Sequence, residues 1–401
     1  MAGAGPVDRS KIWTGELNAR AGGSLEPGAV GLYDTTLRDG EQTVGVVLDP
    51  DDKLRIAQAL DELGIDRIEA GFPRVSPEDY EAVRRIVGAG LRAEIWGFSR
   101  AVREDVDALI ELGVPATVIE SPLSDLKLAA YGMTREKVTE RVVAAVSHAV
   151  EHGIRVAFFG VDGSRADLGF LESVYKAAVD AGATEAVIVD TLGALTPEAA
   201  GYFVSKAREW LGPTVPIHFH GHDDFGLATA SAIAAVRAGA TWIHGTINGM
   251  GERAGNADLC EVALALDALY GLATNLDLQR AREVSQLVRE LSGYDLEPWK
   301  AVVGKNLFIR ESGAVASQFH DPPSIEPYSA ELVAADRRIV LGKKSGLDSI
   351  RLKCEELGLA VPDDAHRDLL AAVKARGLAK RGLVTDEEFR QLAAPAAARQ
   401  G

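Results

Sequence analysis

The sequence predicts an α/β protein, a (β/α)8 barrel followed by a small, mostly helical C-terminal region. Three observations carry this. Short apolar runs alternate with amphipathic helical stretches eight times between residues 30 and 274. The helical stretches often end at glycine, and the next apolar run follows within a few residues. The first run leads into "TTLRDG" and not into a glycine-rich phosphate turn, which sets aside an open dinucleotide-binding sheet.

The elements follow in order. "VGLYD" (30–34) is the first strand, and "PDDKLRIAQALDELG" carries its helix, with Pro50 or Asp51 near the start. "RIEAG" (67–71) precedes "SPEDYEAVRRIV", where Ser76 is the N-cap and Pro77 takes the first helical position. "RAEIWG" (92–97) precedes "REDVDALIELG", and "ATVIE" (116–120) precedes "TREKVTERVVAAVSHAVEHG". "RVAFF" (155–159) precedes "LGFLESVYKAAVDAG", and "EAVIVD" (185–190) precedes "TPEAAGYFVSKAREWLG". "VPIHFH" (215–220) precedes "GLATASAIAAVRAG", and "TWIHGT" (241–246) precedes "GNADLCEVALALDALYG". Four regions result: a polar arm over 1–27, loosely held or packed on a partner subunit; the barrel over 28–274; a loop-rich, lid-like segment over 275–346; and a helical subdomain over 347–401.

The bulk properties bound the function. A chain of 401 residues, 47 % hydrophobic, buries a large core. A formal charge of −16 argues against a broad nucleic-acid surface. Two cysteines, Cys260 and Cys354, make neither a disulfide framework nor a zinc knuckle, and Cys260 falls on an apolar helical face as core. No run reaches membrane-spanning length, and the N-terminus lacks the apolar stretch of a signal peptide. A cytoplasmic protein without nucleic-acid or membrane partners is expected.

In such a barrel the chemistry sits at the C-terminal ends of the strands. Polar residues gather there: Arg38 and Asp39; Glu69; Ser99 and Arg100; Glu120, Ser121 and Lys127; Asp162 and Arg165; Asp190 and Thr191; the run "HFHGHDD" at 218–224; and Asn248, Glu252, Arg253 and Asn256. In an extended strand His218, His220 and His222 project to one side. Two of them, with Asp39 as a third ligand, suit a divalent metal. Two imidazoles and a carboxylate admit zinc, manganese, iron or cobalt, and magnesium where waters complete the shell. His218, deeper in the strand, suits a hydrogen bond within the barrel. Asp39 alone could cap the turn before Gly40. Arg38 suits a clamp on a substrate carboxylate, or an ion pair with Glu41 or Glu69. Glu69 ends a strand made for burial and needs a partner.

"DTTLRDGEQ" at 34–42, "HGHDDFGLATA" at 220–230 and "NGMGERAGNADL" at 248–259 together resemble the signatures of the homocitrate, 2-isopropylmalate and citramalate synthase family. "NLFIRESG", "IEP" and "LGKKSG" are similar to its segments after the barrel. The resemblance implies a metal-dependent Claisen condensation of acetyl-CoA with a 2-oxo acid, followed by thioester hydrolysis. It implies Asp39, His220 and His222 as metal ligands with Asn256 close by, and Arg38, Glu69 and Thr191 as catalytic residues, Thr191 on the substrate carboxylate. Gln42 joins Thr191 in binding substrate. It also implies a homodimer whose post-barrel segment reaches over the partner's barrel mouth.

The departures point to specificity. Where the family reads Glu-Ser-Gly-Ile-His, this chain reads "ESGAV", so Val315 stands at a catalytic histidine position and cannot transfer a proton. Ile325 stands where Tyr-Glu-Pro has its phenol, with Tyr328 or His320 nearby as substitutes. Homocitrate synthases carry a strand-three histidine where this chain has Phe98, with Trp96 two residues before. Their Arg-x-Ser-x-Glu pattern on strand five is matched to "FFGVD", placing Phe158, Gly160 and Asp162 there. An apolar or aromatic 2-oxo acid fits this pocket better than 2-oxoglutarate, although Lys127, Arg100 and Arg165 could receive an anionic group from another side. The two post-barrel losses keep an alternative open: a lyase or aldolase working on the same metal platform without acetyl-CoA chemistry.

Overall fold

The structure, a computed structural model, describes residues 5–22 and 30–397. Eight parallel strands close into a barrel in chain order: β1 (Gly31–Asp34), β2 (Arg67–Glu69), β3 (Glu94–Arg100), β4 (Ala116–Pro122), β5 (Arg155–Val161), β6 (Glu185–Asp190), β7 (Ile217–Gly221) and β8 (Trp242–Gly245). Closure is direct: Gly31 to Asp34 of β1 pair with Trp242 to Gly245 of β8.

Local chemistry sets the helix boundaries. Helix Pro50–Leu63 begins at Asp49, whose carboxylate accepts the Asp52 amide, and stops at Gly64 in the left-handed region. Ser76 caps helix Pro77–Val87 through the Asp79 amide, with proline at its start. Helix Asp125–Tyr131, which Ser124 caps between β4 and helix Arg135–Glu151, was not anticipated, and neither were the short helices Leu17–Gly22 in the expected polar arm and Gly313–Ala316 in the loop-rich segment. Helix Ala281–Ser292 lies beyond the expected end of the barrel. It is nonetheless tied to the β8 loop, where Ser285 Oγ donates to Asn248 Oδ1 at 2.5 Å and Asn248 Nδ2 to the Ser285 carbonyl at 3.2 Å.

The barrel interior has an apolar belt and a polar floor. Tyr33, Trp96, Phe98, Ala116, Val118, Ala157, Phe159, Val187 and Val189 form the belt. At the N-terminal end Arg67 and Glu185 make a two-point ion pair at 2.6 and 3.1 Å, and the Arg67 guanidinium lies 3.5 Å from the Trp242 ring centre. His218 belongs to this floor: Nε2 meets Glu185 Oε2 at 2.6 Å and Nδ1 meets His244 Nε2 at 2.9 Å. A buried arginine survives only with such a carboxylate, because an unpaired charge in the barrel would cost several kcal/mol.

The chain divides into two compact units, Met1–Val7 with Glu16–Leu296, and Asp8–Gly15 with Glu297–Gly401. In the second unit the Trp13 amide donates to the Pro327 carbonyl at 2.8 Å and Ser329 N to the Lys11 carbonyl at 2.9 Å. Helices Leu347–Leu357, His366–Lys380 and Asp386–Ala397 pack around Ile350, Cys354, Val373 and Phe389. Cys260 is buried on helix Leu259–Tyr270. Among the described residues no helix is long and apolar enough to cross a membrane.

Candidate metal centre and active site

Beyond the end of β1 the backbone turns sharply, with the Arg38 and Gly40 amides both donating to the Thr35 carbonyl at 3.1 and 3.0 Å. This turn presents Arg38 and Asp39 to the mouth. The loop behind it is pinned by buried Lys53, whose ammonium lies 2.5 Å from both Glu41 and Asp79. The end of β7 presents His220 and His222. The loop after β8 brings Asn256 beside His222 through a backbone bridge. Two glycines make that approach possible: a Cβ on Gly251 (φ +153°) would sit 2.3 Å from Asn256 Nδ2, and one on Gly255 (φ +86°) 1.9 Å from the Gly249 carbonyl.

Asp39, His220 and His222 converge as one buried cluster of metal-ligating type. Asp39 Oδ2 is 3.3 Å from His220 Nε2 and 3.6 Å from His222 Nε2, and the two imidazole nitrogens are 3.4 Å apart. Three donors bonded at about 2.1 Å to one tetrahedral ion lie about 3.4 Å from each other, so the triangle has the right size. Asn256 Nδ2 donates to the Met250 carbonyl at 3.0 Å, while its buried Oδ1 has no hydrogen-bond partner. Burial alone would lift the Asp39 carboxyl, but Arg38 and the two imidazoles outweigh it and hold it well below the carboxylate range. Burial lowers His222 to about 4 in spite of Asp39, so its ring is neutral and able to ligate at ordinary pH.

Arg38 is fixed from three sides. Its Nε donates to Glu69, its Nη1 is 3.5 Å from Asp39, and its guanidinium lies 4.2 Å from the Phe98 ring centre. The remaining nitrogen, Nη2, is buried without a hydrogen-bond partner. An orphaned cationic donor next to a ligand triangle has the form of an anion or oxyanion hook. Glu69 therefore takes the ion-pair role, and its other oxygen accepts the Tyr33 hydroxyl at 2.9 Å. Burial lifts Glu69 above its ordinary value, and Arg38 and Tyr33 offset this only in part.

The specificity wall needs correction. On β5 the inward-facing residues are Ala157 and Phe159. Phe158 faces the helix layer, 5.0 Å from Tyr175. Phe159 is the ring that meets His220, at 5.1 Å. The strand-five pattern thus falls on Ala157, Phe159 and Val161, one register from the sequence reading. Phe98 does face inward, with Phe72 and Phe159 at 5.6 and 6.2 Å. Trp96 lies a layer deeper, over Arg67 and bonded to Glu94 at 2.9 Å, below the mouth. Arg100 turns outward to Asp105 at 2.7 and 3.0 Å. Asp162 is held by Ser124 and by Arg165 at 2.8 and 2.7 Å, and its amide donates to the Thr191 hydroxyl at 2.7 Å. Gln42 is exposed on the turn Gly40–Gln42. Phe72 and Phe159 were missed. Phe72 sits in a loop without periodicity, and "RVAFFGV" is apolar on both faces.

An eight-stranded barrel carrying two histidines and an aspartate at its strand ends has the form of a metal-dependent enzyme. Residues 29–288 match the HMGL-like family model. The chain is 45 % identical over 368 residues to the homocitrate synthase of Methanopyrus kandleri, covering 91 % of this chain and 92 % of that protein. It is 42 % identical over 370 residues to the 2-isopropylmalate synthase of Methanocaldococcus jannaschii, covering 90 % and 70 %. The hydroxymethylglutaryl-CoA lyase of Pseudomonas aeruginosa shares the fold, with a TM-score of 0.60 at 22 % identity over 67 % of this chain and 95 % of that one. The protein belongs to the HMGL-like family, in the group of homocitrate, citramalate and 2-isopropylmalate synthases.

Proposed function

We propose that the enzyme condenses acetyl-CoA with an apolar or aromatic 2-oxo acid and hydrolyses the thioester, giving a 2-hydroxy-2-(carboxymethyl) acid. The observation that carries this is the unpartnered Arg38 Nη2 beside the Asp39–His220–His222 triangle, under a wall of Phe72, Phe98 and Phe159. A divalent cation held by the triangle, with Asn256 close by, supplies Lewis-acid polarisation of a keto group. Arg38 binds the keto oxygen or the carboxylate as charge develops there. Glu69 and Tyr33 orient Arg38. Thr191 serves the substrate carboxylate, and Gln42 lies at the rim.

The aromatic wall disfavours 2-oxoglutarate. Arg100 and Arg165 are committed to Asp105 and Asp162, which leaves Lys127 of the three candidate cations, and Glu120 opposes a second carboxylate. Leaving a distal charge poorly paired there should cost at least ~100-fold in kcat/KM against an apolar acceptor. A homodimer in the cytoplasm remains our expectation. One observation favours cleavage or aldol chemistry without acetyl-CoA: Val315 and Ile325 stand where the family's post-barrel histidine and tyrosine are expected.

The test mixes metal-loaded protein with acetyl-CoA and single 2-oxo acids, following free thiol and adduct mass. Thiol release with an adduct for one apolar acceptor supports condensation. Metal-loaded protein that releases thiol with none, yet produces a carbonyl compound from a 3-hydroxy acid, is a lyase.

A further inference from the structure

Condensation needs a group that removes a proton from the acetyl methyl. Most carboxylates around the mouth are already engaged. Asp39 is in the ligand triangle, and Glu69 has an oxygen on Arg38 and an oxygen on Tyr33. Asp162 is held by Ser124 and Arg165, Asp190 accepts the amides of Ala194 and Leu195 at 3.0 and 2.9 Å, and Asp224 pairs with Arg253 at 2.8 Å. Glu120 differs. Among the described residues its carboxylate makes no hydrogen bond or ion pair.

Its placement is inward. On β4 it continues the series Ala116 and Val118, both in the interior belt, and its neighbours across the ladder are Arg100 and Phe159. Arg38 acts on it electrostatically, which sets it on the site's side of the barrel. It also lines a cleft of about 340 Å³ at the barrel rim, with Arg100, Tyr131, Met133, Arg141 and Val161. With Arg100 held by Asp105, the Arg141 guanidinium and the apolar lining suit the arm of an acyl thioester. Glu120 is half-buried at the mouth, and a carboxylate there that no neighbour engages is free to reach a proton of a bound substrate. Burial raises its proton affinity above the ordinary glutamate value, which suits a base.

We propose that Glu120 is the general base of the condensation, an assignment that rests on the acetyl-CoA chemistry above. Its carboxylate takes one methyl proton from the thioester. The freed C–H electron pair forms the bond to the keto carbon, and the keto π pair moves to oxygen, which takes a proton from water. Water then cleaves the C–S bond, releasing thiol and leaving a new carboxylate. The proton on Glu120 passes to solvent, and the base is restored.

The test compares the full-length, manganese-loaded native protein with Glu120→Gln and Glu120→Asp. Thiol release and methyl hydrogen–deuterium exchange of acetyl-CoA in D₂O are measured with a panel of 2-oxo acids, with metal content and acceptor Kd alongside. Glu120→Gln should lose about 10²–10⁴-fold in both rates while metal content and Kd stay within about twofold. Glu120→Asp should recover part of the loss. Glu120→Gln within about threefold of native overturns the assignment. So does a loss that appears as weaker acceptor binding with exchange intact, which would make Glu120 an acceptor-reading residue. Native protein that exchanges methyl protons but releases thiol with no acceptor refutes condensation alone. Native protein that does neither refutes both.

Discussion

The three histidines of "HFHGH" divide between structure and chemistry, and Glu185→Gln separates the roles. Glu185 is 4 % exposed and holds both His218 and Arg67 at 2.6 Å. Burial would raise its proton affinity, but His218 and Arg67 outweigh burial and bring it down to about 2 from an ordinary value of 4.5. That shift corresponds to about 3 kcal/mol. Breaking a buried pair by removing one partner gives an independent figure of about 3–5 kcal/mol. Glutamine keeps the volume but turns an amide donor toward Arg67 or His218. The variant should therefore be about 3 kcal/mol less stable at pH 7, a fall of roughly 5–10 °C in the barrel's Tm. The sign with pH follows from linkage. A carboxylate whose folded value is depressed stabilises fully above its unfolded value and loses that contribution as pH falls through the folded one. The gap between native and variant should shrink as pH falls from about 4.5 to 2. Urea titrations at several pH values measure it, with metal content assayed in parallel. A gap below about 0.5 kcal/mol at pH 7, or one that ignores pH, refutes the reasoning. So does loss of bound metal, which would move the floor of the barrel into the chemistry.

Other outcomes are expected at the mouth. Asp39→Asn and His220→Ala should lose bound manganese and at least ~10³-fold of activity while circular dichroism stays native; metal analysis after dialysis decides this. Tyr33→Phe removes the hydroxyl that holds Glu69 at 2.9 Å, so stability should drop by about 1.5–3 kcal/mol and kcat/KM should fall as Arg38 loosens, read by denaturation and steady-state kinetics. In the metal-free protein His222 should titrate near 4 by NMR; the unfolded chain binds that proton more readily, so stability falls as pH drops from about 6.5 to 4. Phe159→Leu should change the ranking of 2-oxo acids, whereas Phe158→Leu should lower Tm and leave the ranking alone; equal effects on ranking would refute the inward assignment of Phe159.

Periodicity and capping residues made the fold legible, because each β/α unit repeats the same two signals. The ligand triangle was legible because three polar residues at strand ends have no place in an apolar belt. Strand five was not. A strand buried on both faces carries no alternation, so a one-residue slip of register exchanged Phe158 for Phe159 without any penalty in the pattern. Nor could the sequence show that Arg100 and Arg165 turn to nearby aspartates, since each partner lies only a few residues away and the choice depends on side-chain reach. The helix Asp125–Tyr131 hid in the long stretch after β4, where its own cap, Ser124, resembled a loop residue.

Asp39, Glu69, His220, His222 and Asn256 come from the ends of β1, β2, β7 and β8, which are consecutive around the circumference. Phe98, Glu120 and Phe159 come from β3, β4 and β5, on the remaining arc. The two arcs touch where Phe98 lies under Arg38 and Phe159 meets His220. On the proposed reading, the aromatic side chains of β3 and β5 can vary with the acceptor while the metal arc and Glu120 between them stay fixed, so a change of substrate is confined to side chains that flank the reacting groups and leaves the ring itself intact.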